Sequence, residues 1–531
     1  MAEAFYKSLL ISGPFIVQKI DFLIPARRKR TVLLRLIGGW FTNLVYIIQG
    51  FLFIPLYLEY LGDRLYGFWL ATGGMLAWLA MVDIGASLVT QQRSAAAYAT
   101  GDLQKAVAYF WHGAVVTSAV IALMFLGLFI LGGFLVDWLD VGAEYFNVIL
   151  NCYYVSGLCL GARLANEFMQ SFSNGLQRGH FAVFAEVISN LVGLVSIYYG
   201  LVVFDLGLWA LVMGAISRSG LLFIFNLCHT SHMLNSIPEK NQWSNSIFRD
   251  YITTTPAVLA SKSSGQLAKS LPVVLIAKFI SPEATVAYAV TIRVLQILSG
   301  LINHGLASVY SACAHFVSDK SVSAKRLRKT MSIFSRSYFY TSLVCLSLYC
   351  LLNQGFIVLW MSAGQFSGQL FTILAGFAAF LDQRSNLFVG IGGSTGAIRA
   401  VEFTRCFQNL LSILFLVWGI WHFGVIGAPI AVCTAGLLTQ IRFNSIIRYN
   451  SIDLAAALKP LYWLWLPLLV VLFTTYPLAS LFVFDSWSYF LFWSAVAALP
   501  LGLVLLIGLP ELREKLTQFA GVRCNIFTRQ I

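Results

Sequence analysis

Residues Ala106–Val136, AVAYFWHGAVVTSAVIALMFLGLFILGGFLV, contain no Asp, Glu, Lys or Arg. A bilayer core of about 30 Å takes about 20 mostly apolar residues per helical crossing, so this stretch spans one with length to spare. Runs of the same kind recur from Leu36 almost to the end of the 531 residues, of which 59% are hydrophobic and 11% charged. Ordinary soluble domains hold roughly 45 to 50% apolar and about 25% charged residues. The fold class expected is therefore an all-α polytopic membrane protein with no large soluble domain.

Reading apolar runs between polar breaks predicts about fourteen spans, starting near residues 36, 66, 106, 145, 181, 206, 252, 284, 334, 366, 402, 425, 460 and 488. Charge orients them. With the N-terminus in the cytoplasm, the even-numbered gaps collect Arg93, Lys105, Arg178, Lys240, Arg249, Lys320, Lys325, Arg326, Arg328 and Lys329. The odd-numbered gaps hold Arg64 but mostly acids, among them Asp63, Asp137, Asp140, Glu144, Asp205, Glu283 and Asp485. That asymmetry obeys the positive-inside rule and puts both termini in the cytoplasm of a bacterial-type inner membrane. The chain carries a net charge of +13, and no nucleic-acid partner is expected.

The stretch before the first span is broken by Pro14, Lys19 and Asp21 and followed by Arg27, Arg28, Lys29 and Arg30. It reads as neither a signal peptide nor a span, but as a segment lying on an anionic membrane surface. The nine cysteines are scattered and never form a CxxC pair, so they read as small apolar residues. His229 and His232 fall in what reads as a polar loop, without a partner Cys or carboxylate; no metal and no cofactor is expected.

Three weak matches recur in order. Phe53 Ile54 Pro55 pairs with Ser270 Leu271 Pro272 at an offset of 217, and Asp83 to Ser87 with Asn303 to Ala307 at 220. Leu206 Gly207 Leu208 Trp209 pairs with Phe423 Gly424 Val425 Ile426, again at 217. Chance similarity in a Leu- and Gly-rich chain is one reading. The other is two pseudo-symmetric six-helix lobes, an arrangement suited to a rocking transporter. On that reading 1–33 is the interfacial segment, 34–228 the first lobe, 229–250 a cytoplasmic loop, and 251–448 the second lobe. Two additional spans occupy 449–510, and 511–531 is a cytoplasmic tail.

A Lys or Arg at a helix centre costs roughly 2.5 to 3.5 kcal/mol on insertion scales, so cations kept there need water or a partner. In the seventh span Thr255, Lys262, Gln266 and Lys269 are spaced by 7, 4 and 3 and share one face. The eighth presents Arg293, Gln296, Asn303 and His304 along a similar stripe, and neither stripe carries a carboxylate. Two readings are open: Lys262, Lys269 and Arg293 line a cavity for a phosphate or pyrophosphate, with Gln266 and Gln296 beside them; or they pair with acids elsewhere, such as Asp83, Glu167 or Asp382.

In the fourth span Arg163 and Glu167 stand at i, i+4 and read first as a self-neutralised pair. Asp83 has no local cation and reads as either a protonatable coupling residue or a helix-terminal one, with Glu167 the second coupling candidate. Asn43, Tyr46 and Gln49 in the first span either bond sugar hydroxyls or join helices. Asp382, Arg384, Glu402, Arg405 and Arg218 read as near the cytoplasmic end, where long side chains snorkel.

At Leu61 Gly62 Asp63 Arg64 Leu65 Tyr66 Gly67 Phe68 Trp69, with Val82 Asp83 Ile84 Gly85, the chain resembles Wzx-type polysaccharide flippases of the multidrug/oligosaccharidyl-lipid/polysaccharide (MOP) exporter superfamily. Gly175 Leu176 Gln177 Arg178 and Gly427 Ala428 Pro429 Ile430 Ala431 extend the likeness, which runs from about residue 34 to 448. The resemblance implies two lobes in a V, alternating access, and an undecaprenyl-pyrophosphate-linked oligosaccharide as cargo. Cavity cations would hold the pyrophosphate, and the family motif does not say which. The extra helix pair is similar to that of the fourteen-helix branch containing lipid II flippases, where it is thought to guide the prenyl tail. A monomer working beside a polysaccharide polymerase and chain-length machinery is the expected setting.

Two other classes compete. A drug or metabolite antiporter of the same superfamily usually needs acidic sites for organic cations, whereas these central faces are cationic. A membrane glycan-modifying enzyme is disfavoured because the external gaps are short and no DxD sequence occurs.

Overall fold

The computed structural model describes residues 25–79, 81, 85–176, 178–236, 244–254, 256–303, 324–394, 398–450, 477–483 and 485–508. The N-terminal segment, the thirteenth span near 460 and the C-terminal tail lie outside them. All regular structure among the described residues is helical.

The helices are α1 (Pro25–Leu79), α2 (Ala86–Ala99), α3 (Leu103–Trp138), α4 (Ala143–Gly175), α5 (His180–Tyr198), α6 (Leu208–Asn235) and α7 (Asn245–Thr254). They continue as α8 (Pro256–Phe279), α9 (Pro282–Thr291) and α10 (Arg293–Asn303). The last are α11 (Ala324–Trp360), α12 (Gln369–Ser394), α13 (Ile398–Phe423), α14 (Gly427–Asn450) and α15 (Trp487–Gly508). Among the described residues six segments are long and apolar enough to cross a bilayer, and the bent pair α9 and α10 makes a seventh.

Helix ends follow local chemistry. Asp102 caps α3 by accepting the Lys105 N–H at 2.9 Å, and Ser281 caps α9 by accepting from Ala284 N–H at 3.0 Å, with Pro282 in the first turn. The first two spans are not joined by a loop. They run together as α1, kinked at Gly62, whose φ of 71° a side chain would strain. α1 is described to Leu79, and α2 begins after Gly85, whose φ is 74°.

The faces of α3 show the solvent of this fold. Val116, Val120, Met124, Leu128 and Val136 are buried, while Leu123, Leu126, Phe129, Ile130 and Phe134 are exposed. Apolar side chains on both faces mark a helix held in hydrocarbon. Polar groups lie inside instead: Asn226 Nδ2 donates to Asn166 Oδ1 at 2.9 Å, joining α6 to α4.

The chain divides into two compact units, Met1–Gly62 with Leu76–Leu259, and Asp63–Met75 with Ala260–Ile531. In the first, α4 packs on α2, α3 and α6, and α5 on α6. The stretch 229–250, expected as a loop, is helical over much of its described part: α6 runs to Asn235 and carries His229, whose ring stacks on Phe181 at 4.6 Å. The amphipathic α7 is strapped to α2 and α3. Asp250 pairs with Arg93 at 2.7 Å, the Tyr251 hydroxyl donates to Tyr109 O at 2.7 Å and accepts from Thr90, and His112 Nε2 accepts Ser244 N–H at 3.0 Å.

In the second unit α14 packs on α13 and α12, α12 on α11, and α15 on α11. Backbone meets backbone where α13 turns into α14: a Cβ on Gly427 would fall on the main chain of Gly419. Gly424, just before that helix, has φ 60°, and Gly207, its match in the sequence repeat, has φ 54° before α6. The matched prolines Pro55 and Pro272 both lie inside helices.

Candidate functional site

Lys262, Gln266 and Lys269 lie on α8. Gln266 and Lys269 are exposed, while Ser264 and Ser270 are buried. Ser264 accepts from Asn409 of α13 at 3.1 Å, and the Ser270 hydroxyl turns back onto Gln266 O at 2.9 Å. The side chain of Lys262 lies outside the described residues, as do those of Asn43 and Tyr46 on α1 and the whole of Asp83 and His304. Gln49 is half-buried on α1 in the first unit.

The eighth span, expected to be continuous, is broken. Its halves α9 and α10 meet at 43°. No Gly or Pro causes the bend. Thr291 is fully buried and donates its hydroxyl to Ala287 O at 2.7 Å. Its carbonyl, freed from the helix ladder, accepts from Tyr349 and Asn353 of α11, each at 3.1 Å, and its hydroxyl also accepts the Ser367 N–H. Tertiary partners satisfy the backbone at the break, as a bilayer demands. Arg293 therefore opens a half-helix. It is half-buried, and its Nε is buried without a hydrogen-bond partner among the described residues. Gln296 is exposed one turn on.

The expected snorkelling of Asp382, Arg384 and Arg405 is overturned. Asp382 of α12 is ion-paired with Arg405 of α13, the side chains 32% and 13% exposed. Arg405 also donates to Gln408 at 3.4 Å, and its pairing is with Asp382 rather than with nearby Glu402. Arg384 is 2% exposed, donates to Asn444 of α14 at 3.3 Å and lies 5.3 Å from the Phe388 ring centroid. A long cation cannot reach water from there; stacking and an amide hold it instead.

Lys269 lies within electrostatic reach of the Asp382 carboxylate. The same carboxylate accepts from Asn386 at 3.4 Å, and Asn386 donates to Asn303 of α10 at 3.2 Å. The Tyr338 hydroxyl of α11 donates to Gln383 and lies 3.4 Å from Asn303 Oδ1. A polar network thus joins α10, α11, α12 and α13, with Lys269 of α8 on its border. The stripe of cations read as lacking an acid has one, supplied from α12.

In the first unit Arg163 and Glu167 pair within α4 at 3.1 Å, as expected. Their side chains are 64% and 44% exposed. Glu186 of α5, which drew no attention in the sequence, joins them electrostatically together with Arg218 of α6. Its signal was available: it is the one acid in the apolar stretch Phe181–Val203.

This is the fold of a multi-pass helical membrane protein. The structure resembles an inward-facing multidrug resistance transporter of the MATE family in the MOP superfamily, at TM-score 0.60 and 12% identity, covering 77% of this chain and 96% of that one. It also resembles the lipid II flippase MurJ in an inward closed conformation, at TM-score 0.62 and 13% identity, covering 92% and 100%. The Vibrio cholerae MATE transporter VcmN in its bent form is similar at TM-score 0.54 and 14% identity, covering 80% and 99%. Among curated proteins no sequence matches. Residues 167–348 match the family model "Polysaccharide biosynthesis protein". The family model covers residues 167–348 alone, and the likeness to the solved structures is one of fold.

Proposed function

We propose that this chain moves an undecaprenyl-pyrophosphate-linked oligosaccharide from the inner to the outer leaflet of a bacterial cytoplasmic membrane by alternating access. Its product feeds O-antigen, capsule or exopolysaccharide synthesis through a polymerase and its chain-length machinery. In this reading the monomer crosses fourteen times, as two six-helix lobes with an extra pair, both termini cytoplasmic, and performs no covalent chemistry.

The observation that carries the reading is Lys269. It stands exposed in the body of α8, and the carboxylate within its reach is ion-paired with Arg405. An ammonium at such a depth is tolerable beside water, and there it suits a doubly charged headgroup. Lys262 and Arg293 add to the site, Gln266, Gln296, Asn43, Tyr46 and Gln49 take sugar hydroxyls, and Glu167, with Asp83, serves coupling.

The test replaces Lys262, Lys269 and Arg293 singly by Ala in cells lacking the native copy. Surface polysaccharide and the leaflet position of the lipid-linked precursor are scored. Loss is expected for Lys269 or Arg293 at normal expression. Wild-type export by all three removes the anion site. The likeness to multidrug transporters favours a second reading, cation-coupled antiport, which predicts increased sensitivity to cationic dyes on deletion and no stranded precursor.

A further inference from the structure

Asp382 is an acid set among bases. Arg405 grips its carboxylate from α13, Asn386 binds it one turn away, and Asn386 is itself fixed by Asn303 of α10. The guanidinium side is the more deeply buried of the pair, and Lys269 stands exposed on the other side of the charge balance. Two cations, Arg405 and Lys269, thus act on the one carboxylate of Asp382.

Carboxylate and phosphate oxygens accept from a guanidinium in the same way. An anion arriving at Lys269 therefore competes with Asp382 for Arg405. We propose that Asp382 is an internal stand-in for the substrate's anionic headgroup: it holds Arg405 while the carrier is empty and gives it up to headgroup oxygens on binding. The exchange spares the empty carrier an unpaired buried guanidinium, which is costly. It also holds down affinity, so that the headgroup leaves once it has crossed. Asp382 is a positioning residue, and Arg405 becomes a substrate contact beyond Lys262, Lys269 and Arg293. The inference rests on the anion-site reading above.

The experiment measures binding of inorganic pyrophosphate to full-length protein in lipid nanodiscs, alongside thermal melting. Asp382→Asn keeps the shape and the neighbouring amide. It should bind pyrophosphate about fivefold more tightly, the size of one screened charge interaction, and release a flipped lipid pyrophosphate more slowly. Asp382→Glu should stay near wild type. The double variant Asp382→Asn with Arg405→Gln should lose the gain. A purely structural pair instead lowers the melting temperature of Asp382→Asn and leaves its affinity unchanged or weaker, which overturns the proposal.

If Asp382→Asn does not accumulate, Arg405→Gln decides: the proposal requires about tenfold weaker pyrophosphate binding, and unchanged binding overturns it. Failure of the two ideas is distinguishable. Wild-type binding that ignores Asp382 and Arg405 removes the stand-in alone, whereas a wild type with no pyrophosphate binding and normal export by Lys269→Ala removes the anion site and the stand-in with it.

Discussion

The first unit holds Arg163 and Glu167 as a pair on one helix, at i, i+4, 64% and 44% exposed, besides the Arg93–Asp250 pair that ties α7 to α2; the second forms a pair across α12 and α13, at 13% and 32%. In the first, Glu186 joins Arg163 and Glu167 together with a base, Arg218, so that two acids and two bases lie within reach of one another. The second sets Arg405 and Lys269 around Asp382 and buries Arg384 with Asn444 and the Phe388 ring among its contacts. Exposed charge contributes little to a fold and offers an anion little. Buried charge must be held by packing, and it can be used. If that contrast is right, substitutions should divide by unit in both stability and transport.

The largest effect on stability is expected at Arg384. Arg384→Ala removes a fully buried side chain with its stacking and amide contacts, and should cost about 2 to 4 kcal/mol by analogy with other large-to-small core changes. Thermal melting of detergent-purified protein reads this as a shift of several degrees. Arg384→Met keeps most of the volume and should cost about 1 kcal/mol, the share of the hydrogen bond. Equal losses in the two variants would show that charge, not packing, fixes this residue, and would sharpen the contrast differently.

Gly427→Ala comes next. Its new methyl would fall on the Gly419 backbone, which cannot swing aside as a side chain can, so about 1 to 3 kcal/mol is expected. A close helix contact in the first unit, at Gly214, is tested by Gly214→Ala, whose methyl meets mainly the Ile197 side chain along with Gly193 O and should cost less. A reversed order in the melting temperatures would remove the claim that the second unit is the more tightly determined.

Much of this was legible in the residues. Apolar runs set the positions of most helices within a few residues, whereas the caps Asp102 and Ser281 emerge only from the structure. The i, i+4 pair of α4 needed only spacing. The break between α9 and α10 did not show, because Thr291 and Ile292 are no helix breakers and the bend is held by Tyr349, Asn353 and Ser367, distant in sequence. Partner choice was hidden for the same reason. Glu402 is three residues from Arg405, yet Arg405 pairs with Asp382, which only the packing of α12 on α13 brings near. Depth misled at Arg384, where distance along the helix was taken for distance to water.

A smaller effect tests the strap. Tyr251→Phe loses a hydroxyl that joins Tyr109 O and Thr90, for about 1 kcal/mol. Asp250→Asn weakens a pair that is 46% exposed on the Arg93 side and should cost less, about 0.5 kcal/mol. Because α7 belongs to the first unit, neither change should alter pyrophosphate binding. A change in binding would mean that the strap acts on the second unit, and the two could no longer be treated separately.

The smallest effect is expected at Arg163. Arg163→Gln removes one partner of an exposed helical pair, worth at most about 0.5 kcal/mol, and Glu167 keeps water as an alternative partner. The melting temperature should hardly move. Export is the sharper readout, since Glu167 without its arginine stands beside Glu186 with only Arg218 to offset two acids. Normal export leaves the pair self-neutralised and idle. Export lost at unchanged stability would mean that charge balance in the first unit is itself part of the cycle, so that coupling resides there while the cargo's anion is held in the second. A stability loss exceeding that of Tyr251→Phe would undo the contrast from the other side, because an exposed pair would then hold its unit as firmly as a buried one.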